Sequence, residues 1–286
     1  MSGPLIPLYV EVQSGDQIAP ELEREFEGAE PERRIQEYVN FVGQRVWRFN
    51  PRADFQHKFT ALKSTKIPNA FAIGNGNVYI TRGLLNLLED EAELAEVIGH
   101  EVAHVGYRHI GYAIEQSLGI GMILAVAEAI YSARKGDTLT ERQQALVNAA
   151  NSIIPSLILN GYSRSHEYEA DSGGFEFMTK AGYDPQGAVR VFRKFQKLSP
   201  DVKGLEVFFQ SHPNASRRID ELQSEINKKY PGVTGEAYRD RYQAIMKGGS
   251  SLQETGSAGE GLPTLVYVAG GVVLAGGVVA AIKWLL

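Results

Sequence analysis

Along most of this chain apolar side chains recur every three or four residues, the spacing of one face of an α-helix. Residues 16–48 carry the pattern in an acidic background, broken around Gly28 and Pro31, and predict amphipathic helix on either side of the break. The rhythm changes over 57–85, HKFTALKSTKIPNAFAIGNGNVYITRGLL. There, period-two stretches (FTAL, NVYIT) flank turn residues at Pro68-Asn69 and Gly74-Asn75-Gly76, which predicts a small antiparallel sheet. Helical spacing then resumes. Asp90 stands as an N-cap with Glu93 three residues on, a capping-box arrangement, and the helix should run to about Arg108.

Residues 117–127, SLGIGMILAVA, are apolar but bounded by Gln116 and Glu128, too short for a membrane span and suited to a buried helix or an interfacial flap. Thr138 with Glu141 suits the cap of a further long helix, which Pro155 should kink or divide. Amphipathic segments over 183–198, 211–229 and 235–248 complete a fold read as α+β and mainly α.

Composition adds bounds. The chain has 286 residues, 43% apolar and 22% charged, so a substantial core is available. Its 29 basic against 34 acidic residues leave a net charge of −5 without a basic run, which argues against nucleic acid as a partner. There is no cysteine, so any zinc must be held by His, Asp or Glu.

The two ends differ. The start, MSGPLIPLYVEVQSGD, lacks the basic residues and long apolar core of a signal peptide. Residues 248–261 are small and polar, like a flexible linker, and 262–282 carry no charge over a length that spans a bilayer as a helix. The expected organisation is therefore a domain over 1–247, a linker over 248–261 and a C-terminal transmembrane anchor over 262–286. Without a removed signal, that anchor would leave the domain facing the cytoplasm; the side of the membrane stays open. Gly271 with Ala275, and Gly277 with Ala281, have a spacing that lets two such helices pack, a route to an oligomer.

The chemistry sits on the helix after Asp90. His100 and His104 are four apart and share a helical face with the spacing a tetrahedral zinc requires, while Glu101 is placed beside it to take a proton from water. This is the HExxH pattern of two ligands and a general base. Core histidines satisfied by hydrogen bonds are the plainer alternative. Downstream, Glu167 and Asp171 also share a face in YSRSHEYEADSGG. Glu167 can supply a third ligand and Asp171 can bond the outer nitrogen of a ligand histidine, or both belong to a solvated acidic face with Glu169. His57, His109 and His166 lack a partner pattern and read as packing or surface residues.

His100 to His104, then SRSHEYEAD and AGYDP, resembles the M48 zinc metallopeptidases, gluzincins of the HtpX-like kind. IPNAFAIGNGNVYITRGLL before the motif helix and SHPNASRRI after it are further matches, and the likeness extends over roughly residues 10–245. It implies a zincin-like domain with one zinc per chain on His100, His104 and Glu167, and Glu101 as catalytic base. Asn69, Ala70 and Phe71 would lie on the family's edge strand, which receives an extended peptide by strand addition. His212 and Arg218 match positions where an imidazole or guanidinium stabilises an oxyanion; His212 can instead occupy the open position on the metal and make the enzyme latent.

The expected function is hydrolysis of peptide bonds in unfolded or membrane-associated proteins, as in quality control of membrane or envelope proteins. A latent, chaperone-like zinc or peptide-binding module is the alternative. An aminopeptidase would need an amine-binding acidic patch that the residues beside the motif do not provide.

Overall fold

The computed structural model describes residues 3–135, 140–141, 148, 151–198, 212, 215–248, 264–268 and 271–275. In chain order the main elements are α1 Leu8–Glu25, α2 Arg33–Trp47, β1 Lys58–Leu62, β2 Ala70–Ala72, β3 Asn77–Thr81 and α3 Arg82–Leu85. They continue with α4 Glu91–Gly106, α5 His109–Arg134, α6 Ile153–Asn160, α7 Arg164–Lys180, α8 Gln186–Leu198, α9 Ala215–Lys229 and α10 Arg239–Met246.

The sheet is mixed where alternation predicted an antiparallel one, with strand order β1-β3-β2. β2 and β3 form a hairpin, Ala70 opposite Ile80, closed by a turn in which Gly76 (φ +89°) donates to the Ile73 carbonyl at 3.0 Å. β1 lies on the far side of β3 and runs parallel to it, Lys58 opposite Asn77. The crossing over 63–69 carries the chain past β3 before it turns back, so β2 is left at an edge.

The sheet separates two apolar cores, and strand alternation assigns its residues between them. Ala70, Ala72, Val78 and Ile80 join the larger core with α2, α4, α7, α8 and α9. Phe71, Ile73 and Tyr79 turn the other way, into a second core with α1, α5 and α6. α4 lies in the middle, and every one of its residues is buried.

Three expectations are refined or corrected. The long helix is divided near Pro155 as expected, at the turn of Ser152 with Pro155 in the first turn of α6, and a second break falls at Gly161 (φ +77°). The 117–127 stretch belongs to α5, whose arms His109–Gly119 and Gly121–Ala129 meet at 109° about Gly119, with φ +69° and ψ 161°. The transmembrane helix of 262–286 is not found: Thr264–Val268 (β4) and Gly271–Ala275 (β5) pair antiparallel, Thr264 opposite Ala275. Valines and glycines of that run suit a strand pair as readily as a helix. No single helix among the described residues is long and apolar enough to cross a membrane. The cap at Thr138, the linker over 249–261 and the rest of the tail lie outside the described residues.

Candidate metal centre

α4 begins where its sequence says it should. The Asp90 side chain accepts the Glu93 N–H at 3.0 Å, while Glu93 reaches back to the Glu89 N–H at 2.7 Å, one residue earlier than the usual box. α7 is capped by Ser163, which accepts the His166 N–H. The two helices meet backbone to backbone at Gly99 and Gly174. A Cβ on Gly174 would stand 2.4 Å from the His100 nitrogen, and one on Gly99 2.8 Å from the Gly174 carbonyl. That approach brings Glu167 and Asp171 against the α4 histidines.

Ligand atoms of His100, His104, Glu167 and His212, all buried, lie within 4.8 Å of one another. The partners behind the rings set their protonation. Asp171 accepts from His100 Nδ1 at 2.9 Å, which leaves His100 Nε2 as a lone pair. Glu169 accepts from His109 Nε2 at 3.3 Å; His109 Nδ1 is then the acceptor for His104 Nδ1–H at 2.8 Å, and His104 Nε2 is a lone pair too. These two Nε2 atoms face each other at 3.0 Å, with Glu167 Oε1 3.4 Å from His104 Nε2. Glu167 Oε1 has no hydrogen-bond partner among the described residues. His212 Nδ1, 3.1 Å from His100 Nε2 and 3.0 Å from Glu167 Oε2, is the one group that can place a proton here, and none lies between the two Nε2 atoms and Glu167 Oε1; two neutral imidazoles with a carboxylate suit zinc. The set fits the metal.

Charge in the centre is unevenly balanced. Burial pushes the Glu167 carboxyl up, but His212, His104 and His100 outweigh it and hold the group well below its ordinary value. Burial lowers His100 and His104, with Asp171 and Glu167 opposing only in part, so both favour the neutral, ligating form. Asp171 is also buried, yet Arg218 and His100 keep it below the ordinary value. Arg218 donates to both its oxygens, Nε at 2.6 Å and Nη2 at 2.5 Å, and from Nη1 to the His212 carbonyl at 3.2 Å. Glu101 is raised by burial, and its Oε1 lies 3.6 Å from His212 Nε2.

Of the residues singled out from sequence, His100, His104, Glu167 and His212 converge, Glu101 adjoins them, and Asp171 and Arg218 back them. Asn69, Ala70 and Phe71 stand across the cleft. The cleft there is lined by Ala70, Ala72, Glu101, Ile158, Tyr162 and His212, among others. β2 exchanges backbone bonds with β3 at Asn69 and Ile73, so the backbone groups of Ala70 and Ala72 face outward. The Phe71 ring turns away, stacking between Phe26 and Tyr79 with both centroids at 5.1 Å.

Sequence reasoning missed His109. It was read as packing, yet it is buried and holds the outer nitrogen of His104. The available signal was its place five residues beyond His104, just past the helix end. Tyr162 was also missed; its ring stacks on His104 with centroids 4.0 Å apart. His57 does pack, stacked on Trp47.

The chain is similar to known metalloproteases. The chain is 34% identical over 152 residues to the mitochondrial metalloendopeptidase OMA1 of Arabidopsis thaliana, covering 53% of this chain and 28% of the relative. It is 23% identical over 246 residues to the beta-barrel assembly-enhancing protease of Escherichia coli K12, covering 81% and 47%. To the metalloprotease YcaL of the same organism it is 31% identical over 158 residues, covering 55% and 58%. The matched region thus spans from about a quarter to under two thirds of these relatives. Residues 33–226, well over half of the chain, match Peptidase family M48, and with the metal-binding cluster inside that region the chain belongs to this family of zinc metallopeptidases.

Proposed function

We propose that the chain is a zinc endopeptidase that cleaves extended polypeptides, with His100, His104 and Glu167 as metal ligands and Glu101 as general base. The observation that carries this is the convergence of unprotonated ligand atoms on one point beside a buried glutamate. A zinc ion so held supplies a Lewis acid that polarises the scissile carbonyl and acidifies water. Glu101 takes the proton of the attacking water and returns it to the departing amine. Asp171, fixed by Arg218, orients His100; the engaged donors of Arg218 make it a positioning residue, and His212 is left to face the oxyanion. The outward edge of β2 meets the substrate strand through its carbonyls, the Ala70 N–H being held by the Asn69 side chain at 3.0 Å. Asn69 Nδ2, buried with no partner among the described residues, is available to a substrate carbonyl.

Membrane or envelope proteins are the substrate class we favour, by likeness to relatives whose names refer to mitochondria and to β-barrel assembly. A helical C-terminal anchor has no place in this reading, since β4 and β5 occupy its centre. Exchange of Glu101→Gln tests the core claim: zinc stays near one per chain while casein hydrolysis falls about 10²- to 10⁴-fold. Undiminished cleavage by that variant would exclude Glu101 as the base.

One contact favours a second reading, a latent enzyme or peptide-binding module. His212 Nδ1 lies 3.0 Å from Glu167 Oε2 and 3.1 Å from His100 Nε2, so it can fill the position a substrate needs. If His212 closes the site, His212→Ala keeps zinc and cleaves faster than the parent. A zinc-loaded parent and His212→Ala that both bind casein without cutting it would identify a binding module.

A further inference from the structure

The turn out of α4 is held by a part of the chain that takes no part in the reaction. Arg108, the first residue beyond the Tyr107 cap, has φ +60°, at a place that glycine usually fills because a Cβ is strained there. Such strain persists only where the surroundings enforce it. Here they are α1 and the residues just before it. Arg108 Nε donates to Glu11 Oε1 at 2.9 Å, and Nη2 donates to the same oxygen and to the Ile6 carbonyl, the latter at 2.7 Å.

Glu11 is 2% exposed. Burial pushes its carboxyl up to about 7, with Arg108 and Arg52 opposing, and a buried ion pair adds little to the stability of a fold. Yet the joint is built closely around it. A Cβ on Gly111 would stand 2.5 Å from Glu11 Oε1 and 2.9 Å from Pro4 Cγ, so the start of α5 sits directly against this carboxylate. Arg52 holds the same end of α4, its Nη1 donating to the Val105 carbonyl at 3.0 Å.

What the turn places is His109. Because Arg108 leaves the helical register, the next side chain comes back beneath α4, buried, with its Nδ1 2.8 Å from His104 Nδ1. The partner of a ligand's outer nitrogen sets the orientation and basicity of the ligating ring. Contacts thus run without a gap from the Glu11 carboxylate through Arg108 and His109 to His104. α1 precedes residues 33–226, the region that matches the family, so this tie is no part of that match.

We infer that Glu11 and Arg108 are positioning residues of the metal centre: their ion pair holds the left-handed turn that sets His109 behind His104, so that the N-terminal helix governs how tightly zinc is bound. This rests on the reading of His104 as a zinc ligand and deepens it.

The test is a double-mutant cycle on the full chain, read as zinc affinity in competition with a chromophoric chelator. Glu11→Gln keeps the shape of the side chain and removes its charge; it should weaken zinc binding about tenfold, as loss of a ligand's outer support does. His109→Ala weakens binding by itself. Adding Glu11→Gln to His109→Ala should cost little more, because the ring through which the pair acts is gone, whereas a general effect on folding would multiply the two losses. Parent-like affinity in Glu11→Gln, or a full further loss in the His109→Ala background, overturns the inference and leaves the zinc reading intact. A parent that binds no zinc defeats the zinc reading, and the inference with it. If circular dichroism shows Glu11→Gln unfolded, Arg108→Lys replaces it in the cycle. Lysine keeps a charge opposite Glu11 but lacks the fork that serves both Glu11 and the Ile6 carbonyl, and the same outcomes decide.

Discussion

The two cores on either side of the sheet are built to different tolerances. The larger one holds α4 against α7 at a separation that only glycine allows, Gly99 on one helix meeting Gly174 on the other. The candidate metal ligands of both helices project from that contact. The second core, under α1, α5 and α6, is looser: α5 bends through 109° at Gly119, where nothing lies within 4 Å of an added Cβ, and Leu124 is 67% exposed. Tyr162, just past α6, is the point where this core reaches the centre, stacked on His104. The tight packing thus lies where the candidate ligands are set, and the open packing on the other side of the sheet.

The comparison breaks most sharply at Gly174. In Gly174→Ala the new methyl group would stand 2.4 Å from the backbone nitrogen of His100, against atoms that cannot rotate aside. The helices must separate, at an expected cost of about 3 kcal/mol. Because Glu167 moves with α7, zinc affinity falls together with stability. Urea unfolding of the metal-free chain, beside zinc titration of the same variant, measures both. A fully stable, zinc-replete Gly174→Ala protein would mean the approach of α4 and α7 does not set the centre.

A smaller effect is expected at His109. Its Nδ1 holds the outer nitrogen of His104, and its Nε2 is held in turn by Glu169. His109→Ala removes that orientation without touching a ligand, so zinc affinity should drop about 10- to 100-fold. His109→Asn, which keeps an acceptor near the same place, should recover part of the loss. If both variants bind zinc as the parent does, His109 is only a packing residue.

Much of this site was legible because its rules are local. The Asp90 cap, the one-turn spacing of His100 and His104, and the shared face of Glu167 and Asp171 all follow from helical period. His109 escaped because Arg108 takes a left-handed conformation (φ +60°), which ends the helical register and swings His109 back beneath His104. The direction of β1 depends on the path of residues 63–69 around β3, a non-local matter on which the alternation of FTAL is silent. The tail erred for a related reason: an uncharged run rich in valine and glycine satisfies the length of a span and the composition of a strand pair equally.

The smallest expected effect sharpens the contrast from the loose side. Gly119 holds φ +69° with ψ 161°, a backbone region that a residue with a Cβ enters only under strain, while space around it is open. Gly119→Ala therefore isolates backbone cost from packing cost. About 1 kcal/mol of stability should be lost, offset in part by the better helix propensity of alanine if the arms of α5 realign. Zinc binding should be unchanged, since no ligand rests on α5 and His109, which supports His104, stands at its far end. The same titration used for Gly174→Ala checks this. A loss of zinc in Gly119→Ala would show that the bend of α5 is transmitted to the centre through α6 and Tyr162, and that the two cores act as one.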